Sequence, residues 1–216
     1  MDILKNQIIN GDCQEVMRQM PNNCIDLIIT DPPYGDDTGY GWNNKKIKNN
    51  KNPLVNCQAL VECYRVLRKN ATLYNFTNWK HYPFLVEFIM KYTNFKIRHV
   101  IVWKKHNFGL GWAFRHQYEL ILVLEKGKPK YNLKNFSDVQ TCSHINHDKE
   151  NHPHQKPVDL IVKMLEHSSK EGDIVLDPFC GSGSVCMACE QTGRRWIGVE
   201  LDEEWVGVAE ARVVRL

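Results

Sequence analysis

The 216-residue chain has no run of about 18 apolar residues that could span a bilayer. Its first residues, MDILKNQIIN, lack the charged-then-apolar layout of a signal peptide, so a cytoplasmic protein with no membrane partner is expected. There is no internal repeat and no low-complexity tract. Little net charge is carried, +3 at pH 7, but the lysines cluster, with Lys45, Lys46, Lys48 and Lys51 in one group and Lys126, Lys128, Lys130 and Lys134 in another. The eight cysteines are scattered without disulfide-framework spacing and are expected as reduced thiols. Cys142, His144, His147, His152 and His154 match no paired zinc-ligand spacing, and no metal is expected. Cys186 and Cys189 form a lone CxxC on an expected helix, where cysteines are packing residues.

What is present is ordinary globular composition, 43% hydrophobic and 25% charged, in a length that suits one domain over residues 1–216. Short apolar runs alternate with helical patterns, the signature of an α/β protein with a mostly parallel sheet. Seven strands are expected: Gln7–Ile9, Ile25–Thr30, Thr72–Phe76, Ile97–Lys104, Tyr118–Glu125, Ile174–Leu176 and Trp196–Glu200. Helices are expected over Gln14–Met20, Pro53–Arg68, Tyr82–Tyr92, Pro157–Ser168, Ser184–Gln191 and Glu203–Arg212. Little separates the fourth and fifth strands, which therefore read as an antiparallel hairpin at one sheet edge. Two segments lack regular pattern. Residues 36–52 are rich in Gly, Asn, Asp and Lys and read as a mobile loop near the site. Residues 126–154 hold prolines, lysines and four histidines. The lysines of these two segments either form solvated faces or meet phosphates.

The strongest local signal is DPPYG, Asp31 to Gly35, at the end of the strand IDLIIT. Ligands bind at the carboxyl ends of strands in parallel sheets, so this motif stands where chemistry is expected. The exocyclic amine of adenine or cytosine is a poor nucleophile because its lone pair is delocalised into the ring. Acceptors that draw on its two N–H groups counter that, and the Asp31 carboxylate with the Pro32 carbonyl can supply them, on a backbone restricted by Pro32 and Pro33. Tyr34 can stack on the face of a base extruded from a duplex. Read alone, the motif is also an Asp-Pro turn after a strand.

A second signal is DIVLDPFCGSGSV, Asp173 to Val185, where an apolar strand runs into Asp177 and a loop with Phe179, Gly181, Ser182 and Gly183 before a helix. Glycine there lets a ligand approach the backbone. Its spacing lacks the third glycine of the dinucleotide fingerprint, which disfavours nicotinamide and flavin cofactors. The strand of RRWIGVELD ends in Glu200, followed by Leu201, where an acid can grip both hydroxyls of a ribose. A third element, HPHQKPVDLIVKML, has Gln155, Lys156 and Pro157 opening a helix, either as its cap or reaching a cofactor carboxylate.

Taken together, these segments resemble the amino-methyltransferases of DNA, in the β arrangement where the catalytic motif precedes the cofactor motif, and the resemblance covers most of the chain. It implies a Rossmann-like methyltransferase fold in circularly permuted motif order, S-adenosylmethionine as cofactor, S-adenosylhomocysteine as product, and double-stranded DNA as partner. The catalytic motif would be Asp31, Pro32, Pro33 and Tyr34, with Asp31 also beside the cofactor. INGDC resembles the segment that meets the cofactor adenine, which would place Asp12 and Cys13 there. Asp177, Phe179, Gly181 and Gly183 would lie by the methionine part, and Glu200 by the ribose. Residues 126–154 would be a short target-recognition segment; a short site, a relaxed specificity or a homodimer that shares recognition each fits it. No Pro-Cys dipeptide occurs, which argues against the carbon-methylating cytosine enzymes that use one. Asp at the first motif position goes mostly with adenine in that family and Ser mostly with cytosine. The expected activity is therefore N6 methylation of adenine in DNA. The alternatives are N4-cytosine methylation, methylation of adenosine in RNA, whose enzymes usually carry Trp where Tyr34 stands, and an idle DNA-binding relative. Restriction-modification, phage protection and regulation of a host genome are all compatible with it.

Overall fold

A computed structural model describes residues 6–34, 54–109, 112–142 and 155–214. The expected loop 36–52 and the second half of the expected recognition segment, 143–154, lie outside the described residues.

The described strands are β1 (Gln7–Asn10), β2 (Ile25–Thr30), β3 (Leu67–Thr77), β4 (Lys96–Lys105), β5 (Tyr118–Lys126), β6 (Val139–Cys142), β7 (Ile174–Asp177) and β8 (Arg195–Glu200). They form one sheet in the order β1-β8-β7-β2-β3-β5-β4-β6. Among them β5 alone runs against its neighbours, antiparallel to both β3 and β4; every other pairing is parallel. The helices are α1 (Cys13–Gln19), α2 (Leu54–Val66), α3 (Tyr82–Tyr92), α4 (Val158–Ser168), α5 (Ser184–Gln191) and α6 (Glu203–Val214). None of the described helices is long and apolar enough to cross a membrane.

The central strands are apolar throughout because helices cover both faces. Alternate side chains of β7 and β5 feed two cores. One holds Ile174, Leu176, Leu122 and Leu124 with Met17 of α1, Leu60 of α2 and Leu85 of α3. The other holds Val175, Ile121 and Val123 with Leu160 and Met164 of α4 and Cys186 and Cys189 of α5. All eight cysteines are free and buried, and the CxxC pair packs in this second core.

Two expectations are corrected. The sheet has an eighth strand, β6, inside the segment read as irregular; it pairs in parallel with β4. Consequently the β4–β5 hairpin, though antiparallel as expected, is not the sheet edge. VQTC is too short and too polar to be visible as a strand, and only the exposed flank of β4 recruits it. The second helix also ends at Val66 and not at Arg68, because β3 begins at Leu67, paired with Ile25. Asn70, at φ 63°, turns the chain within the irregularity that follows.

Parallel strands bring their carboxyl ends to one edge. There β2 delivers Asp31, β7 ends in Asp177, β8 ends in Glu200, and β1 leads to Asp12. Because β5 is reversed, its first residues lie on the same edge, beside the last residues of β4: Lys104 pairs with Tyr118 and Trp103 with Glu119.

Candidate active site

Asp31 leaves the buried end of β2, with Pro32 buried and Pro33 and Tyr34 half-buried. The Tyr34 hydroxyl donates to Asp31 Oδ1, and Lys156 Nζ pairs with Asp31 Oδ2. Lys156 is itself buried and stands 3.3 Å from Glu119 Oε2. The other oxygen of Glu119 accepts from Lys105 Nζ at 2.5 Å. Asp31, Lys156, Glu119 and Lys105 thus form a ladder of alternating charge at the carboxyl edge. Its balance of two anions and two cations is what lets charges stand where water is scarce. Burial works to neutralise Glu119, but Lys156 and Lys105 outweigh it and hold the carboxyl down to about 2. Burial likewise lowers the affinity of Lys156 for its proton, and Asp31 and Glu119 reverse that, so its pKa is raised above the ordinary lysine value.

Sequence patterning placed Lys156 with Gln155 and Pro157 at a helix start, as a cap or within reach of a cofactor carboxylate. In the structure Pro157 caps α4 without a side-chain bond, and Lys156 reaches the catalytic motif. Gln155 is buried, and its Oε1 has no hydrogen-bond partner among the described residues. Glu119 and Lys105 were not singled out. The only local sign of Glu119 is a carboxylate that directly precedes the apolar run LILVL in the strand YELILVLEK.

On the other side of Asp31 lies a second group. Asp177 is buried and accepts from the Phe179 amide at 3.1 Å. Burial raises its pKa well above the usual aspartate value, and the neighbouring carboxylates Asp31 and Glu200 raise it further. Glu200 Oε2 accepts from the Gly181 amide and Oε1 from the Asp202 amide, each at 2.9 Å. Burial raises its pKa too, against the pull of those amides. Gly181 sits at φ 49°, a conformation that favours glycine, and faces open space where a Cβ would be. Gly183, at φ 80°, caps α5 against α6: a Cβ there would stand 3.0 Å from that of Ala209. Ser182 between them is buried, its hydroxyl accepting from Arg212 of α6 at 2.9 Å. Phe179 is half-buried against the first core, and Leu201 is exposed just beyond β8.

Asp12 caps α1 through bonds from the Gln14 amide (2.8 Å) and the Glu15 amide (3.3 Å). Cys13 follows it into the first core. Burial, with the charges of Asp12 and Glu200 adding, pushes the Cys13 thiol up to about 12, which makes it inert at neutral pH. The β1–β8 pairing brings Asp12 close to Glu200: Gly11 donates to the Glu200 carbonyl at 2.9 Å.

The edge therefore carries the buried Asp177 under the charges of two further carboxylates, Asp31 and Glu200, with open space over Gly181 and an unsatisfied buried acceptor at Gln155. Such a constellation suits a cationic ligand with hydroxyl groups. No group of three or more potential metal ligands occurs among the described residues.

Comparison with known proteins agrees with this arrangement. A family model described as DNA methylase matches residues 25–211. The chain is similar to the type II methyltransferase M.HpaI of Haemophilus parainfluenzae, 30% identical over 97% of this chain and 74% of that protein. It is also similar to the DNA adenine methyltransferase YhdJ of Escherichia coli, 27% identical over 95% and 82%. Among solved structures, the cytosine-N4-specific PvuII DNA methyltransferase shares the fold, with a TM-score of 0.80 at 15% identity over 95% of this chain and 85% of that one.

Proposed function

Because the chain belongs to the DNA methylase family, we propose that it transfers the methyl group of S-adenosylmethionine to the N6 amine of adenine in DNA. The observation that carries the reading is the placement of Asp31 at the carboxyl end of β2, its carboxylate held by Lys156 and Tyr34.

S-adenosylmethionine supplies an electrophilic methyl group on a positively charged sulfur. The residues around Gly181 fit it. Glu200, fixed by two backbone amides, offers its remaining lone pairs to ribose hydroxyls. Asp177 has its pKa raised by burial and by the charges of Asp31 and Glu200, and Glu200 has its pKa raised by burial and by the charge of Asp202, a cost that a bound cation relieves. Gln155 brings its unpartnered oxygen to a donor such as an ammonium group. Asp12, Cys13 and the exposed Leu201 lie at the β1–β8 side, where an adenine ring would rest.

Asp31 and the Pro32 carbonyl accept the two N–H groups of the target amine, which concentrates electron density on nitrogen and holds the proton that must leave as nitrogen gains its methyl. Lys156 holds the Asp31 carboxylate in place. Tyr34 presents its ring to the base. Adenine is favoured over cytosine by Asp31 at the first motif position, since that family mostly pairs Asp with adenine. The test is direct: DNA methylated by the purified enzyme is digested and the nucleosides are separated by mass spectrometry. N6-methyldeoxyadenosine is expected, and N4-methyldeoxycytidine alone would overturn the choice of target base.

A further inference from the structure

The hairpin between β4 and β5 carries an exposed apolar tip. Trp112 is fully exposed, Phe114 is 89% exposed, and Phe108 is 59% exposed. Trp79, which follows β3 on the same edge, is half exposed and lies 6.3 Å from the His116 ring. Trp103, by contrast, one residue before Lys104, is 1% exposed and belongs to the core. Scattered exposed apolar residues need no explanation, but several gathered on one loop mark an interaction site.

The tip is built to hold its shape. The Gly109 amide donates to the His116 carbonyl at 2.7 Å, and the Lys105 amide to the Gln117 carbonyl at 2.8 Å. Arg115 folds back so that Nε donates to the Gly109 carbonyl at 2.9 Å, with its guanidinium 5.5 Å from the Phe108 ring centroid.

Charge says what the tip faces. From Lys104 to Tyr118 the sequence holds three cationic residues and two histidines, with no Asp or Glu. Position says it again: the hairpin is rooted on Lys105 and Glu119, the two far members of the ladder that ends at Asp31. A cationic, aromatic loop beside a site for an extruded base has the chemistry of a stacking platform for nucleic acid.

We propose that the β4–β5 tip is a stacking surface for DNA bases opened beside the target, with Trp112 and Phe114 lying on base faces, Lys104 meeting phosphate and Arg115 bracing the loop. The inference rests on the reading that the chain methylates DNA.

The test compares the wild-type protein, Trp112→Ala with Phe114→Ala, Trp112→Tyr, Lys104→Ala and, as a control far from the edge, Tyr92→Ala. Two short duplexes of mixed sequence serve as probes, one fully paired and one with a few unpaired bases at its centre, and binding is followed by fluorescence anisotropy across a salt series. The double variant should bind the unpaired probe about five- to 150-fold more weakly. The paired probe should lose less, and the slope of log affinity against log salt should not change. Lys104→Ala should instead reduce that slope by about one. Trp112→Tyr should restore most of the binding, and Tyr92→Ala should alter nothing. S-adenosylmethionine affinity and Tm, measured in parallel, verify folding; Trp112→Ala alone replaces the double variant if the latter fails to fold. Equal affinity of the alanine variants and wild type for the unpaired probe overturns the proposal. Wild-type protein that transfers no methyl group to unmethylated plasmid DNA instead overturns the reading on which it rests.

Discussion

Asp31 and Glu200 do different work, and replacing each should show it. If Asp31 acts as proposed, Asp31→Ala removes a positioned acceptor from the target amine, and loss of one preorganised hydrogen-bonding group of this kind typically costs about a hundredfold or more in rate. Methyl transfer should fall by that much while S-adenosylmethionine binding, followed by calorimetry, stays near the wild-type value; near-normal turnover would remove Asp31 from the chemistry. Glu200→Ala should do the reverse, weakening S-adenosylmethionine binding by roughly tenfold to a few hundredfold through loss of charge-assisted bonds. An unchanged dissociation constant would place the ribose elsewhere. Glu119→Gln leaves Lys105 and Lys156 facing a neutral amide. Breaking a buried ion pair on one side costs about 3–5 kcal/mol, so a clear drop in urea midpoint is expected. A midpoint equal to wild type would mean that the ladder carries no stability.

At the scale of elements, most of what frames the site follows from local pattern. The strands β2, β7 and β8 and the helix α5 are legible because an apolar run or a helical face ends at glycine, proline or acid. Gly183 illustrates why the end matters: at φ 80° it both caps α5 and lets α6 approach. Gly183→Ala adds a methyl group 3.0 Å from Ala209 in a left-handed backbone. The strain is about 1–3 kcal/mol, which lowers Tm by roughly 2–4 °C for each kcal/mol. Scanning calorimetry checks it; an unchanged Tm would mean that the two helices part at no cost. The element that escapes pattern is β6, four residues whose pairing with β4 depends on an exposed strand flank and not on their own propensity.

For the molecule as a whole, the raised carboxyl groups tie stability to pH. Asp177 binds its proton more tightly folded than unfolded, so the folded state holds more protons across the window from 3.8, the ordinary aspartate value, up to the raised one. Its contribution is present below that window and is lost as pH rises through it; Glu200, also raised, adds in the same direction. Glu119 runs the other way: held down to about 2, it contributes above its ordinary value of 4.5 and is lost as pH falls toward 2. Asp177→Asn keeps an oxygen for the Phe179 amide and removes the titration. Its Tm relative to wild type should therefore climb from pH 4 to pH 8, and a difference that stays flat would mean that Asp177 titrates normally. S-adenosylmethionine at a hundredfold its Kd adds about 2.7 kcal/mol by mass action.

The sequence by itself determined the class of fold and where the DPPY tetrapeptide, the glycine loop and the terminal acids fall at strand ends, because each is a short stretch whose backbone demands are local. It also determined the permuted order, since the order of motifs along the chain is itself sequence. Only the tertiary structure decided what surrounds Asp31. Lys156 lies 125 residues away, and Glu119 meets it because β5 is reversed between β3 and β4. The same strand order separates Trp103 in the core from Trp112 in solvent, though nine positions apart the two look alike in sequence. Local patterning fixes which face of a strand is apolar. Which strand lies beside it is set by packing across the whole sheet, and the charges that meet at the site are partners only through that order.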